Sequence, residues 1–122
     1  MRILLVEDDR ANLDLFTDVL DGAGHSVVVE YDGVEGRTRA LQESFDLIIL
    51  DIQLPRLRGD ALCRELRERG VQTPIIALSA DALPHQVDAG LAAGFDRYLT
   101  KPIGPAALRA AVTDCASRGE TT

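Results

Sequence analysis

The chain has 122 residues and a formal net charge of −7, a length that fits one domain with a real core. Hydrophobic residues make up 46% of it, which excludes a disordered tail. The acidic balance excludes nonspecific attachment to nucleic acid or anionic membrane, and aromatics at 4% with no Trp exclude a base-stacking platform.

Ile3–Val6 is a continuous apolar run and reads as the first strand. Leu13, Phe16, Leu20 and Ala23 then recur at helical spacing, with Asp9 as the N-cap and Gly24 as the stop. Val27–Val29 is a second strand, and Val34, Thr38 and Leu41 mark a shorter helix. Leu47–Leu50 is a third strand. Leu62 and Leu66 share one face of a helix closed by Gly70, whose solvated side carries Arg64, Glu65, Arg67, Glu68 and Arg69 in local ion pairs. Ile75–Leu78 is the fourth strand, Val87 and Leu91 mark a helix running to Gly94, and Tyr98–Thr100 is a weaker fifth strand. Leu108, Ala111, Val112 and Cys115 mark the last helix, and residues 119–122 are expected to fray.

Unbroken apolar strands need cover on both faces, as in a parallel sheet. Strand and helix alternate five times, which predicts a (βα)5 doubly wound parallel sheet with right-handed crossovers. No apolar run approaches the roughly 18 residues of a membrane span, and acids follow Met1–Val6 too soon for a signal peptide. The expected location is cytoplasmic, with Cys63 and Cys115 as reduced, packed thiols.

Ligands of open α/β sheets bind beyond the carboxyl ends of the strands. Glu7, Asp8 and Asp9 follow strand 1, Asp51 follows strand 3, Ser79 follows strand 4, and Lys101 follows strand 5. Asp9 is taken up by capping. Glu7, Asp8 and Asp51 would repel one another unless a cation joined them, and Mg2+ takes carboxylate oxygens in this way. Asp51 stands between Leu47–Leu50 and Ile52, a context unsuited to a solvated acid, and a carboxylate beside a metal can attack a phosphoryl donor. Lys101 is the only lysine beside twelve arginines. It supplies a compact point charge that could bridge Asp51 and a phosphoryl oxygen, and Ser79 could hydrogen-bond that oxygen.

Leu5–Asp9, Leu50–Pro55, Ala77–Ala80 and Lys101–Pro102 together resemble the response-regulator receiver domain, the phosphoacceptor module of two-component signalling, over about residues 2 to 116. The resemblance implies a flavodoxin-like sheet with strand order 2-1-3-4-5 and a receiver domain over residues 1–118. It makes Asp51 the phosphoacceptor and gives Mg2+ (or Mn2+) to Glu7, Asp8, Asp51 and the backbone carbonyl of Gln53. Lys101 becomes the phosphate-binding lysine, with a cis peptide to Pro102. Ser79 and Tyr98 form the switch pair, in which Tyr98 turns inward as Ser79 moves toward the phosphoryl group. Gln53 and Asp81 occupy positions that tune phosphoryl lifetime in the family. Arg58 departs from it, standing where many receivers carry Asp before Gly.

The implied function is a phosphoacceptor switch in a two-component or phosphorelay pathway. It is not an enzyme beyond Mg2+-dependent self-phosphorylation from a donor and slow autodephosphorylation. The implied partners are a histidine kinase or histidine phosphotransfer protein and a downstream protein bound at the signalling face, near Leu83 and Pro84. No nucleic-acid or membrane contact is expected. No output domain is expected either, and the chain is a monomer or a phosphorylation-dependent dimer. It could be a stand-alone regulator or a receiver from a hybrid kinase. Other readings fare worse. An aspartyl-phosphate phosphatase of the haloacid dehalogenase kind needs an acid where Gln53 stands. In a flavodoxin-type carrier, Glu7–Asp9 would repel the flavin phosphate. The remaining alternative is a receiver-like interaction module that works without phosphorylation, against which the intact Asp8, Asp51, Ser79 and Lys101 argue.

Overall fold

A computed structural model describes the backbone at residues 1–80 and 84–120 and the side chains at 1–80 and 86–115. Asp81 and Leu83 lie outside the described residues, as do the side chains of Pro84 and His85. The elements are β1 (Arg2–Val6), α1 (Arg10–Gly22), β2 (Ser26–Glu30), α2 (Gly33–Gln42), β3 (Leu47–Asp51), α3 (Gly59–Glu68), β4 (Ile75–Ser79), α4 (Pro84–Ala93), β5 (Arg97–Thr100) and α5 (Pro105–Glu120). The five strands pair in parallel in the order β2-β1-β3-β4-β5. The alternation of elements predicts the (βα)5 parallel sheet, and the receiver resemblance implies its flavodoxin-like order.

The strand side chains divide by parity. Ile3, Leu5, Leu47, Ile49, Ile76 and Leu78 pack on one face against Leu13, Phe16 and Leu20 of α1 and Leu108, Ala111 and Val112 of α5. Leu4, Val6, Ile48, Leu50, Ile75 and Ala77 pack on the other against Leu62, Cys63 and Leu66 of α3 and Phe95. Both faces are covered, which is why the strands read as continuous apolar runs. Each buried Leu or Ile stabilises the fold by about 1.5–3 kcal/mol of transfer free energy. Cys63 and Cys115 are free and buried, and burial pushes the Cys63 thiol up to about 11.

The caps follow local chemistry. The Asp9 carboxylate accepts from the amides of Ala11 (2.9 Å) and Asn12 (3.4 Å). Gly24, Gly70 and Gly94 take positive φ just beyond their helices, where a β-carbon is disfavoured.

Two helical stripes differ from expectation. In α2 the buried positions are Gly33 and Gly36, while Thr38 and Leu41 face solvent. Among the described side chains of α4 the buried positions are Gly90 and Ala93, and Leu91 is exposed. The cause is close approach. A β-carbon at Gly36 would come within 2.9 Å of Val6, and one at Gly33 within 1.9 Å of the Leu57 carbonyl oxygen. These helices touch their neighbours largely through glycines and small alanines, which leave no bulky apolar stripe to read. Ala23 is likewise no core residue but the exposed C-cap of α1.

Arg67 also departs from the solvated face assigned to it. Its guanidinium donates to the carbonyls of Gly94 (3.0 Å), Val71 (2.9 Å) and Thr73 (2.7 Å) and to the Asp96 carboxylate (2.9 Å). Asp96 in turn accepts from the Ile75 amide at 2.8 Å. One fork thus ties the end of α3 to the entry of β4 and the turn before β5, using the fixed donor geometry of arginine. Arg67→Ala should lose about 2–3 kcal/mol of stability, since hydrogen bonds to a charged group contribute about 1.5–3 kcal/mol. The check is the urea midpoint, with Arg64→Ala at an exposed position as the near-neutral control.

Candidate functional site

The sheet extends its hydrogen bonds one residue past the carboxyl ends of its strands. Glu7 N donates to Glu30 O (3.1 Å), Ile52 N to Leu78 O (2.9 Å), and Lys101 N to Ser79 O (2.7 Å). The first residues of three loops are therefore held by the rigid core rather than by flexible connections. The β3–α3 loop folds back as well, with Gly59 N donating to Ile52 O at 2.8 Å.

Glu7, Asp51 and Ser79 are the buried polar residues of the described chain, and Asp8 stands exposed beside them. Lys101 Nζ bridges the two buried acids, 2.8 Å from Glu7 Oε1 and 2.6 Å from Asp51 Oδ2. The Gln53 amide donates to Asp51 Oδ1 at 2.9 Å. Asn12 Nδ2 donates to Glu7 Oε1 at 2.8 Å. The structure therefore brings together Glu7, Asp8, Asp51 and Lys101. Gln53 reaches the cluster through its amide, and Ser79 and Tyr98 share a cleft next to it with Ile52, Arg58 and Gln86.

Two carboxylates facing one ammonium at this depth repel each other, which drives their proton affinities apart. Burial, reinforced by Asp51, raises the Glu7 carboxyl to about 7. Burial also pushes Asp51 upward, but hydrogen bonds from Glu7, Lys101 and the Gln53 amide outweigh it and keep Asp51 below its ordinary value. For Lys101, burial disfavours the charge, and Asp51 and Glu7 more than restore it.

Ligand oxygens of Glu7, Asp8 and Asp51 lie within 4.8 Å of one another. Glu7 Oε2 is buried and has no hydrogen-bond partner among the described residues. An orphaned carboxylate oxygen in an all-oxygen cluster suits a hard divalent cation. Because the Glu7 carboxyl is raised, folded metal-free protein binds its proton more tightly than the unfolded chain does. Stability should therefore fall as pH rises from about 4.5 to 7, on the order of 3 kcal/mol, and level off above. Urea midpoints across that range, with Glu7→Gln alongside, check this. The Gln variant should lack the decline.

The family model for the response regulator receiver domain matches residues 3–113. The chain belongs to this family. Receiver domains of two-component regulators bind Mg2+ at an acidic site, and this receiver carries a Glu7–Asp8–Asp51 cluster at the carboxyl ends of β1 and β3.

Among curated relatives, the response regulator MprA of Mycobacterium avium is 44% identical over 103 residues, covering 84% of this chain and 45% of that protein. The receiver spans about half the length of the curated relatives it matches. Among solved structures, the receiver domain of the Francisella response regulator 1452 superposes with a TM-score of 0.93 at 30% identity, over 97% of this chain and 98% of that one. The receiver domain of the sensor histidine kinase PA1611 of Pseudomonas aeruginosa superposes with a TM-score of 0.87 at 36% identity, over 95% and 97%. That structure is described with a magnesium ion coordinated in its active-site cleft.

Three features of the receiver site escaped the sequence. Asn12 sits at the third position of α1, from which a polar side chain can turn back over the preceding loop; that spacing was the available signal. Gly59 lies so close to Asp51 that an added β-carbon would stand 2.1 Å from the Asp51 carbonyl oxygen. The Tyr98 ring rests on Gly90, where a β-carbon would come within 2.8 Å of it. The Lys101–Pro102 peptide is cis.

Proposed function

We propose that this receiver is a Mg2+-dependent phosphoacceptor switch in which Asp51 is the phosphorylated residue. The observation that carries the reading is the buried Asp51 carboxylate, fixed through one oxygen by the Gln53 amide and through the other by Lys101. It is a positioned nucleophile at the mouth of a cation-ready cluster.

In the reaction, an Asp51 oxygen attacks the phosphorus of a phosphohistidine or a small acyl phosphate. The new O–P bond forms as the P–N or P–O bond to the donor breaks, and the leaving imidazole or carboxylate keeps the electron pair. Glu7, Asp8 and the Gln53 carbonyl join Asp51 in holding Mg2+, whose charge offsets that of the transferring group. Lys101 exchanges its bond to Asp51 for one to a phosphoryl oxygen. The Ser79 hydroxyl donates to another, and the Tyr98 ring leaves its place over Gly90 and turns inward.

Response regulators interact with histidine kinases. A cytoplasmic kinase domain or histidine phosphotransfer protein is the donor in this reading, and a protein that senses the Tyr98 face is the receiver's output. Beryllofluoride, a stand-in for the phosphoryl group, tests it. Backbone amide signals at Ser79 and Tyr98 should shift on addition of beryllofluoride only when Mg2+ is present. Unmoved signals, or shifts that ignore Mg2+, would overturn the reading.

A further inference from the structure

We infer that Arg58 is a specificity-determining residue for the phosphodonor, recognising the phosphoryl group of small acyl phosphates on their way to Asp51. The inference rests on the reading of Asp51 as phosphoacceptor.

Three observations place Arg58 there. First, the loop folds Gly59 onto the backbone of Asp51, with Gly59 N bonded to Ile52 O at 2.8 Å. Its chain neighbour Arg58 thus belongs to the loop that packs on the Asp51 backbone. Second, Arg58 and Ser79 line the same cleft, together with Asp60, so a phosphoryl group bound at Ser79 shares that cleft with Arg58. Third, the ion pair of Arg58 Nε with Asp60 Oδ1, at 3.2 Å, is exposed, with the Arg58 side chain 60% accessible. Exposed pairs are weak and exchange easily, and a guanidinium takes phosphate oxygens through paired N–H groups.

Charge at the site makes this cation count. Glu7, Asp8 and Asp51 bring three negative charges when ionised, and Lys101 with a divalent ion offsets them. Lys101 is already engaged by both buried acids. On a chain of net charge −7, Arg58 is then, among the described residues, the cation that lines the cleft of Ser79 and can draw a dianionic donor inward. Steering of this kind raises encounter rates and fades with salt.

The test is the initial rate of phosphoryl uptake from acetyl phosphate at saturating Mg2+, followed by intact mass. It uses wild type, Arg58→Ala, Arg58→Asp and Arg58→Lys at low salt and at about 1 M salt, where the Debye length is ~3 Å. Wild type should be about tenfold faster than Arg58→Ala at low salt, Arg58→Asp slower still, and Arg58→Lys intermediate. The differences should close at high salt. Variants that match wild type in both rate and salt dependence overturn the role of Arg58 alone. A wild type that takes up no phosphate overturns the phosphoacceptor reading and this inference with it.

Discussion

Asp8→Ala is expected to weaken Mg2+ binding by about 100-fold or more. Changing a residue that merely orients a metal ligand typically costs 10–100-fold, and Asp8 supplies an oxygen to the cluster itself. Its side chain is exposed and removes no packing when truncated. The fold should therefore survive, and relief of repulsion from Glu7 and Asp51 should hold the urea midpoint at or slightly above that of wild type. The comparison separates two pictures of an exposed acid at a strand end. A ligand loses the metal and keeps the fold, whereas a solvated charge changes neither by more than about twofold. A Mg2+ titration followed by amide shifts near Asp51 reads the difference.

The second large effect is expected at Gly59→Ala. The added methyl would meet backbone atoms, the Asp51 carbonyl oxygen at 2.1 Å and its carbon at 2.9 Å. Neither can swing aside as a side-chain end would. Overpacking a tight site costs about 1–3 kcal/mol and occasionally more, and here the strain falls on the segment that aims the nucleophile. Both the urea midpoint and the rate of phosphoryl uptake should drop. Gly22→Ala is the control, since nothing lies within 4 Å of a β-carbon there. Equal midpoints for the two variants would contradict the close packing of the β3–α3 loop on Asp51.

What the sequence made legible follows from which interactions leave a mark in it. The strands announced themselves because both faces of a parallel sheet are buried, so Ile48 and Ile49 must both be apolar although they point opposite ways. The acids after β1 and β3 and the single lysine after β5 were legible because topology carries strand ends to one edge. Close approach was not legible. Gly33, Gly36 and Gly90 bring α2 and α4 close by having no side chain, with only small Ala40 and Ala93 beside them, so the larger apolar residues nearby, Leu41 and Leu91, misdirected the helical phase. Arg67 was misread for a related reason. Charge at helical spacing suggests a solvated face, and nothing local reveals that the carbonyls of Val71 and Thr73 just beyond the helix and of the distant Gly94 converge on one guanidinium. The raised Glu7 carboxyl likewise depends on its burial against Asp51, a contact between residues far apart in the chain.

The central claim is that Asp51 accepts a phosphoryl group in a Mg2+-dependent reaction. Its most direct test is the intact mass of the protein after incubation with acetyl phosphate, with and without Mg2+, and with Asp51→Asn alongside. The account predicts the gain of one phosphoryl group on wild type, its loss when Mg2+ is withheld, and no gain on the Asn variant. A gain of equal stoichiometry on Asp51→Asn, or one on wild type that persists without Mg2+, would contradict it.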